Sequence, residues 1–210
     1  MKKIDLECYK RRALFDAFKD REVPYFSTTV SVEITPFKAW ADQHACGFFV
    51  PLSYLISIAV NRVPELRQRI IRGKLYEFDI VHPGYTVLLE DETFSFCDAR
   101  HFDQFGAYLE HANAKIRQAR QFPEQGVGEK HHMFFITSLP WFSFTSITHP
   151  YSEQYGSIPI VTIGKYFDQG NQLLIPIGIQ VHHGVVDGFH VGRFYDRLSS
   201  MCQDPAVWLG

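Results

Sequence analysis

The apolar positions of this chain follow two periods, one typical of helices and one typical of strands. Phe105, Leu109 and Ala112 recur at helical spacing, whereas β-branched residues alternate with polar ones between 28 and 34. The pattern predicts helices at 8–20, 35–44, 50–63, 103–120 and 189–202. It predicts strands at 26–34, 75–80, 85–89, 94–98, 133–138, 142–148, 158–167 and 172–181.

Two of these elements are apolar on nearly every side, so we expect the helix at 50–63 and the strand at 172–181 to be buried. His82-Pro83-Gly84 predicts a turn between two strands, and Asp168-Gln169-Gly170-Asn171 predicts the turn of a late hairpin. A loop is expected at 122–128. The final helix is expected to bury Phe189, Val191, Phe194 and Leu198.

The order of the elements predicts the fold class. Helices cluster near the start, in the middle and at the end of the chain, whereas the late strands pair by hairpins. This order favours a mixed β-sheet covered by helices, an α+β or mixed α/β two-layer sandwich, over a doubly wound βαβ fold. The 210 residues, 46% of them hydrophobic, are enough for one core, so we expect a single domain over 1–210.

Composition limits the environment and the partners. The net charge is −2 and no basic patch stands out, so we expect neither nucleic acid nor an acidic membrane surface as a partner. No stretch approaches transmembrane length, and the first residues contain no apolar signal region. The four cysteines are scattered without a Cys-x-x-Cys pair and indicate neither a zinc ribbon nor a disulfide scaffold. A cytoplasmic location is the resulting expectation.

The clearest candidate chemistry lies between the last strand and the last helix, in His182-His183-Gly184-Val185-Val186-Asp187-Gly188. An imidazole can take a proton from a hydroxyl or thiol near neutral pH if it is held in one tautomer. Asp187 is better suited to anchoring this turn, through an arginine or backbone N–H groups, than to relaying a proton. The alternative is that both histidines are hydrogen-bonded core residues at a strand end.

A second histidine pair, His131-His132, raises the question of a metal site. Together with His182, His183 and Asp187 it offers the imidazole and carboxylate ligands that zinc or iron can take. Adjacent residues of a strand point to opposite faces, so neither pair can aim both rings at one ion. We therefore expect no metal site, and a metal-dependent hydrolase is the weaker alternative.

Four blocks of the chain resemble, in the same order, the conserved blocks of chloramphenicol acetyltransferases. They are YKRRALF at 9–15, ITSLPW at 136–141, PIVTIGKY at 159–166 and QVHHGVVDGFHVGRF at 180–194. The His-x-x-x-Asp-Gly pattern alone also occurs in dihydrolipoyl acyltransferases and other CoA-dependent acyltransferases. The four blocks together are much more selective, and the similarity extends over nearly the whole chain.

The resemblance implies an O-acetyltransferase that moves acetyl from acetyl-CoA, its co-substrate, to a hydroxyl of chloramphenicol and so inactivates the antibiotic. It implies a homotrimer of two-layer sandwiches with active sites in the clefts between subunits, and no permanently bound cofactor. His183 is the implied general base, and Asp187 the carboxylate that pairs with Arg11. Thr137 stands where the family usually has a serine that hydrogen-bonds the tetrahedral oxyanion.

The resemblance also implies contacts to both substrates. The implied contacts to acetyl-CoA are Trp141, Lys165 and Tyr166. The implied contacts to the acceptor are Phe18, Phe26, Asp91, Phe135, Ile160 and Thr162, the last by ordering a water in the transition state.

Several positions depart from familiar members of the family and concern the acceptor. Phe135 replaces a small or polar residue, Phe18 replaces a tyrosine, and Asp91 lies near a segment that contacts the acceptor. An alternative is therefore an acyltransferase of the same fold that acts on a different hydroxylated acceptor. A non-catalytic binding protein is a further alternative, but a binder has no need of both a base and an oxyanion donor.

Overall fold

The computed structural model describes residues 1–126 and 128–210, so that Val127, in the loop predicted at 122–128, lies outside the described residues. The strands are Lys2–Lys3 (β1), Tyr25–Glu33 (β2), Gln68–Ile71 (β3), Lys74–Glu77 (β4), His82–Leu88 (β5), Phe94–Asp98 (β6), Met133–Ser138 (β7), Ile160–Ile163 (β8), Phe167–Gln169 (β9) and Gln172–His182 (β10). The α-helices are Arg12–Phe18 (α1), Thr35–His44 (α2), Phe49–Asn61 (α3), Phe105–Gln121 (α4), Gly188–Gln203 (α5) and Ala206–Leu209 (α6), and Pro64–Arg67 is a 3₁₀ turn.

The main sheet has seven strands and is mixed. Its order is β2-β10-β8-β7-β5-β6, with β9 paired to β10 in the predicted hairpin. The β5, β7 and β8 strands are parallel to one another, whereas β10 runs antiparallel to both of its long neighbours. A smaller sheet of order β1-β4-β3 lies apart from the main one. The apolar strand predicted at 172–181 therefore occupies an interior position with strands on both sides, as its composition requires.

The helices cover one face of the main sheet, and alternation along the strands decides which residues face them. Ile136, Val161 and Ile177 are buried in the core beneath the helices. Their neighbours Thr137 and Thr162 point to the opposite face. The buried helix predicted at 50–63 is confirmed as α3, and the expected mixed sheet with covering helices is confirmed. Within the described ranges, no helix combines the length and apolar character that crossing a bilayer requires.

The predicted strand at 142–148 is wrong. The chain between β7 and β8 is irregular and crosses the face of the sheet that the helices leave open. Its apolar residues Phe144 and Ile147 pack onto strand glycines, and a Cβ on Gly178 would come within 2.7 Å of Ile147. Phe144 and Ile147 are therefore partly buried by packing on the face of the sheet, and the segment does not pair with another strand.

Two further predictions are corrected near the small sheet and the start of β5. His82-Pro83-Gly84 is not a turn but the beginning of β5, where a proline near the strand start is tolerated. The strand β3 lies outside all the predicted strands, because Pro64 and the arginines after it indicated a short charged turn or helix. Arg69 is instead fully buried, and its guanidinium donates to four backbone carbonyls.

Two helices also differ from expectation. The first begins at Arg12 rather than near residue 8, because the preceding residues form turns. In α5, Val191, Phe194 and Leu198 are buried as predicted, but Phe189 is 67% exposed. Phe189 lies in the first turn of α5, where its ring contacts the Arg193 guanidinium on the surface.

Candidate active site

The corner between β10 and α5 separates the two adjacent histidines. His182, the last residue of β10, is buried, and its Nδ1 accepts a hydrogen bond from the Gly184 backbone N–H at 3.0 Å. His183 is half-buried, and its own backbone N–H donates to the Pro24 carbonyl at 2.7 Å. The two rings therefore have different surroundings, and only that of His183 reaches solvent to a substantial extent.

Burial lowers the pKa of His182 to about 4, with a smaller contribution from the neighbouring His183. A histidine in the unfolded chain titrates near 6.5, so between those values the unfolded state binds the extra proton. The free energy of unfolding must therefore fall as the pH falls through this window.

We expect acidification from pH 7 to pH 5 to cost about 2 kcal/mol of stability through His182. The His182→Asn variant keeps an acceptor for the Gly184 N–H, but its side chain does not titrate. Between pH 7 and pH 5 its free energy of unfolding should therefore fall by about 2 kcal/mol less than that of the wild type. Urea unfolding of both proteins, at equal protein concentration and both pH values, measures the difference. The same pH dependence in the two proteins would contradict the assignment.

An ion pair holds the turn after His183. The Arg11 guanidinium binds Asp187 with both terminal nitrogens, and the Nη2–Oδ1 distance is 3.0 Å. Arg11 Nη2 also lies 3.3 Å from the His183 carbonyl oxygen. The side chains are 12% and 28% exposed, so the pair is largely removed from solvent. One arginine from the segment before α1 thus fixes both the carboxylate and the backbone of the candidate base.

Asp187 also lies beside the His183 ring. Its Oδ1 is 3.2 Å from His183 Nδ1, but at an angle that makes no hydrogen bond. Asp187 is the N-cap of α5, and its backbone N–H donates to His190 Nδ1 at 2.9 Å. His190 Nε2 in turn lies 3.5 Å from the Glu65 carboxylate. This arrangement leaves Nε2 of His183 as the ring nitrogen farther from the anchoring carboxylate.

Two predicted acceptor contacts enclose the His183 ring. Phe18, at the end of α1, stacks on it with a centroid distance of 4.0 Å and an interplanar angle of 23°. Phe26, on β2, lies at 4.9 Å and is tilted by 59°. These apolar walls restrict the orientation of the imidazole and lower the local polarity around it.

A second group of predicted site residues lies on the open face of the sheet. Thr137 and Thr162 are direct neighbours on β7 and β8. The Thr137 hydroxyl lies 3.0 Å from the hydroxyl of Thr86 on β5. Three threonine hydroxyls on adjacent strands thus form a short polar row.

Thr162 is sealed by a histidine that the sequence reasoning missed. His149 Nε2 lies 2.6 Å from the Thr162 hydroxyl, and Thr162 is 1% exposed. The Gln180 amide binds the backbone of His149, with the His149 N–H 2.8 Å from Gln180 Oε1. Burial lowers the pKa of His149, so its ring is neutral near pH 7. No motif marks His149, which follows the segment predicted as a strand at 142–148, so only the fold reveals this contact.

A cavity of about 250 Å³ opens beside Thr137. Its walls include the predicted acceptor contacts Phe135 and Ile160, together with Phe96 and Tyr151. The surface of the cavity is mostly apolar, and the Thr137 hydroxyl is among the polar groups in its walls. This composition is typical of a small-molecule site.

The two groups of residues are far apart in one chain. Thr137 and Thr162 lie in register with Gly178, five residues before His183 along β10. Five residues of strand and two strand spacings place His183 roughly 20 Å from Thr137. His183 does not line the cavity beside Thr137. A single chain therefore does not bring the candidate base and the candidate oxyanion donor together.

The remaining predicted contacts lie elsewhere on the surface. Trp141 follows β7, and Lys165 and Tyr166 follow β8, so all three are exposed where these parallel strands end. The Lys165 N–H donates to the Phe142 carbonyl at 3.0 Å, which ties the two segments together. Asp91 lies in the exposed β5–β6 turn, outside the cavity, and accepts hydrogen bonds from Thr93 that lower its pKa.

The two histidine pairs do not form a metal centre with their neighbours. Across 1–126 and 128–210, no three histidine, cysteine, aspartate or glutamate side chains converge as metal ligands would.

The fold recurs in solved acyltransferases. Dihydrolipoamide acetyltransferase of Azotobacter vinelandii aligns with a TM-score of 0.68 at 21% identity, over 93% of this chain and 87% of that one. At this identity the likeness shows the fold alone, which is that of the CoA-dependent acyltransferases. A solved chloramphenicol acetyltransferase aligns with a TM-score of 0.87 at 25% identity, over 96% of this chain and all of that one.

Sequence comparison is more specific. The family model described as chloramphenicol acetyltransferase matches residues 1–199. Chloramphenicol acetyltransferase 3 of Escherichia coli is 37% identical over 208 residues, covering 95% of this chain and 96% of that protein. The Proteus mirabilis chloramphenicol acetyltransferase is 34% identical over 207 residues, covering 96% and 94%. The chain belongs to the chloramphenicol acetyltransferase family, which confirms the resemblance carried by the four sequence blocks.

Proposed function

We propose that this protein transfers acetyl from acetyl-CoA to a hydroxyl of chloramphenicol and so inactivates the antibiotic. The observation that carries the proposal is His183, an accessible imidazole whose turn is held by the Arg11–Asp187 ion pair. Relatives that carry the name chloramphenicol acetyltransferase over nearly their full length support the choice of acceptor.

In the proposed mechanism, Nε2 of His183 takes the proton of the acceptor hydroxyl as the oxygen attacks the thioester carbonyl. A tetrahedral intermediate forms, and its negative oxygen accepts a hydrogen bond from the Thr137 hydroxyl. One such donor contributes about 3 kcal/mol in comparable sites. The intermediate then collapses, and the proton held by His183 passes to the departing CoA thiolate.

Asp187 and Arg11 act in this scheme by position. Their ion pair fixes the turn and the carbonyl of His183, and the stacked Phe18 limits rotation of the ring. A base held in one orientation spends a larger fraction of time aligned with the acceptor hydroxyl. Arg11 and Asp187 are therefore positioning residues rather than proton carriers.

The active site is proposed to form between copies of the chain, with His183 from one subunit and Thr137 from the next. The support is the distance of roughly 20 Å between them in one chain, estimated from strand geometry. Contacts between unlike surfaces can close into a ring, and the proposed ring is a homotrimer. Phe18 and Phe26 then approach the acceptor together with His183, from the side opposite Phe135 and Ile160.

The other proposed roles follow from position on the sheet. Trp141, Lys165 and Tyr166 are proposed to meet acetyl-CoA at the exposed strand ends. Asp91 is proposed to lie at the rim of the acceptor site, whereas the Thr162 hydroxyl is covered by His149 and does not reach the acceptor in this structure. The chain is proposed to be a single cytoplasmic domain, with acetyl-CoA as a co-substrate rather than a resident cofactor.

A thiol-release assay tests the proposal. We expect CoA thiol to appear only when acetyl-CoA and chloramphenicol are both present, with acetylated chloramphenicol as the product by mass spectrometry. A panel of other hydroxylated antibiotics runs in parallel under the same conditions. Thiol release with one of these compounds and none with chloramphenicol would identify a different acceptor for the same chemistry.

A further inference from the structure

The cavity beside Thr137 contains one ion pair in otherwise uncharged walls. Among its described lining residues, only Asp98 and Lys130 carry a charge. The Lys130 ammonium pairs with Asp98, and the two side chains are 12% and 39% exposed. The Lys130 side chain is thus the less exposed member of the pair, and the residue lines the cavity together with aromatic residues such as Phe96 and Phe135.

The ammonium retains unused hydrogen-bonding capacity. A lysine has three N–H donors, and the contact that Lys130 makes within the described residues is the one to Asp98. The other N–H groups of the ammonium make no hydrogen bond within the described residues. A ligand oxygen in the cavity would therefore gain a charge-assisted hydrogen bond, which is stronger than a bond between neutral groups.

The position of the pair fits one end of an elongated acceptor. Asp98, Gly84 and Phe135 are neighbours across β6, β5 and β7 and share the face that lines the cavity. Thr137 lies two residues beyond Phe135 on β7. Two strand spacings and two residues place Asp98 roughly 12 Å from Thr137. The charged pair and the proposed oxyanion donor thus stand at opposite ends of an aromatic slot.

We infer that Lys130 is a specificity residue that binds an oxygen-rich, electron-withdrawing substituent on the aromatic ring of the acceptor. The ring occupies the slot between Phe96 and Phe135, its substituent accepts hydrogen bonds from the Lys130 ammonium, and the reacting hydroxyl lies toward Thr137. The nitro group of chloramphenicol belongs to this chemical class, as do sulfonyl and carboxylate groups. The inference rests on the proposed function in naming the bound molecule as the acceptor and in placing its reacting hydroxyl toward Thr137.

Three acceptors that differ at one ring position test this inference. They are chloramphenicol, its analogue with methylsulfonyl in place of nitro, and its analogue with an unsubstituted phenyl ring. For Lys130→Met we expect kcat/KM for the nitro and sulfonyl compounds to fall by about 10- to 100-fold. For the unsubstituted compound kcat/KM should change by less than about twofold, because it has no group that Lys130 can bind. The KM for acetyl-CoA should not change.

Two further variants test whether the positive charge at position 130 causes the effect, rather than a general disturbance of the structure. Lys130→Arg keeps a cationic donor and should restore part of the discrimination between the three compounds. Lys115→Met removes a lysine from α4 that does not line the cavity, and all three acceptors should behave as with the wild type. Equal losses for the three acceptors in Lys130→Met, or no loss for any of them, would overturn the inference.

Calorimetric binding of the same three compounds without acetyl-CoA provides a readout that does not need turnover. Tighter binding of the nitro and sulfonyl compounds by the wild type, lost in Lys130→Met, supports the role of Lys130 even if no acetylated product forms. In that case the proposed function fails and the specificity site stands. If the wild type binds all three compounds with the same affinity, Lys130 is not a specificity residue, whichever acceptor the enzyme acetylates.

Discussion

His183→Ala should lower kcat by about 10²- to 10⁴-fold, the range that a general base contributes. The fold should survive, because the side chain is 35% exposed and makes no side-chain hydrogen bond within the described part of the chain. The matched control is His182→Asn at pH 7.5, which replaces the adjacent histidine and should retain turnover. Thiol-release kinetics and thermal unfolding of the three proteins measure both effects, and wild-type turnover in His183→Ala would exclude the proposed base.

The same variant tests whether the site is shared between subunits. Thr137→Val removes the proposed oxyanion donor and should lower kcat by about 10²- to 10³-fold. When His183→Ala and Thr137→Val chains are unfolded and refolded together, random assembly gives some interfaces with both native residues. About a quarter of the sites should then be intact in a closed ring, and a comparable fraction of wild-type activity should return. If mixing restores nothing, His183 and Thr137 do not meet across an interface.

Arg11→Ala should lower stability and activity together. It leaves the Asp187 carboxylate without its partner in a site that is only 28% exposed, and removing one member of a buried pair is strongly destabilising. With a discount for the partial exposure, we expect a loss of about 2 kcal/mol or more. Turnover should fall as well, because the His183 carbonyl also loses the contact that fixes its turn.

Arg12→Ala is the matched control, since Arg12 is adjacent, carries the same charge and is 57% exposed. It should leave melting temperature and turnover close to the wild type. Adding Asp187→Asn to Arg11→Ala should recover part of the lost stability, because the unpaired charge is then absent. An unchanged melting temperature in Arg11→Ala would refute the stabilising role of the pair.

Most elements of the fold were predictable because their signals are local. The helical spacing of Phe105, Leu109 and Ala112 led to α4, and the apolar run at 172–181 led to the buried strand β10. The turn that carries His183 was recognised in the same way, since His183, Asp187 and Gly188 are close in sequence. Predictions from local periodicity were wrong where a side chain is buried or hydrogen-bonded through residues far away in the sequence.

Phe144 and Ile147 show such a failure. Their alternation predicted a strand, but strand pairing needs a free edge, and β7 and β8 are already hydrogen-bonded to neighbours. The segment instead packs across the sheet, and this places His149 over Thr162. Arg69 shows another failure: no local pattern marks a buried arginine, yet its guanidinium donates in the core to the nearby carbonyls of Leu66 and Gln68 and to two carbonyls of the distant segment at 131–133.

The type of each element, the class of fold and the residue types available for acyl transfer could be inferred from the amino-acid order, because each depends on neighbours along the chain. Which of those residues meet depends on the three-dimensional fold. It brought Arg11 to Asp187 across 176 positions and left His183 roughly 20 Å from Thr137. It also gathered Lys130, Asp98 and Phe135 around one cavity. These relations depend on the order and register of strands in the sheet, which no local pattern encodes.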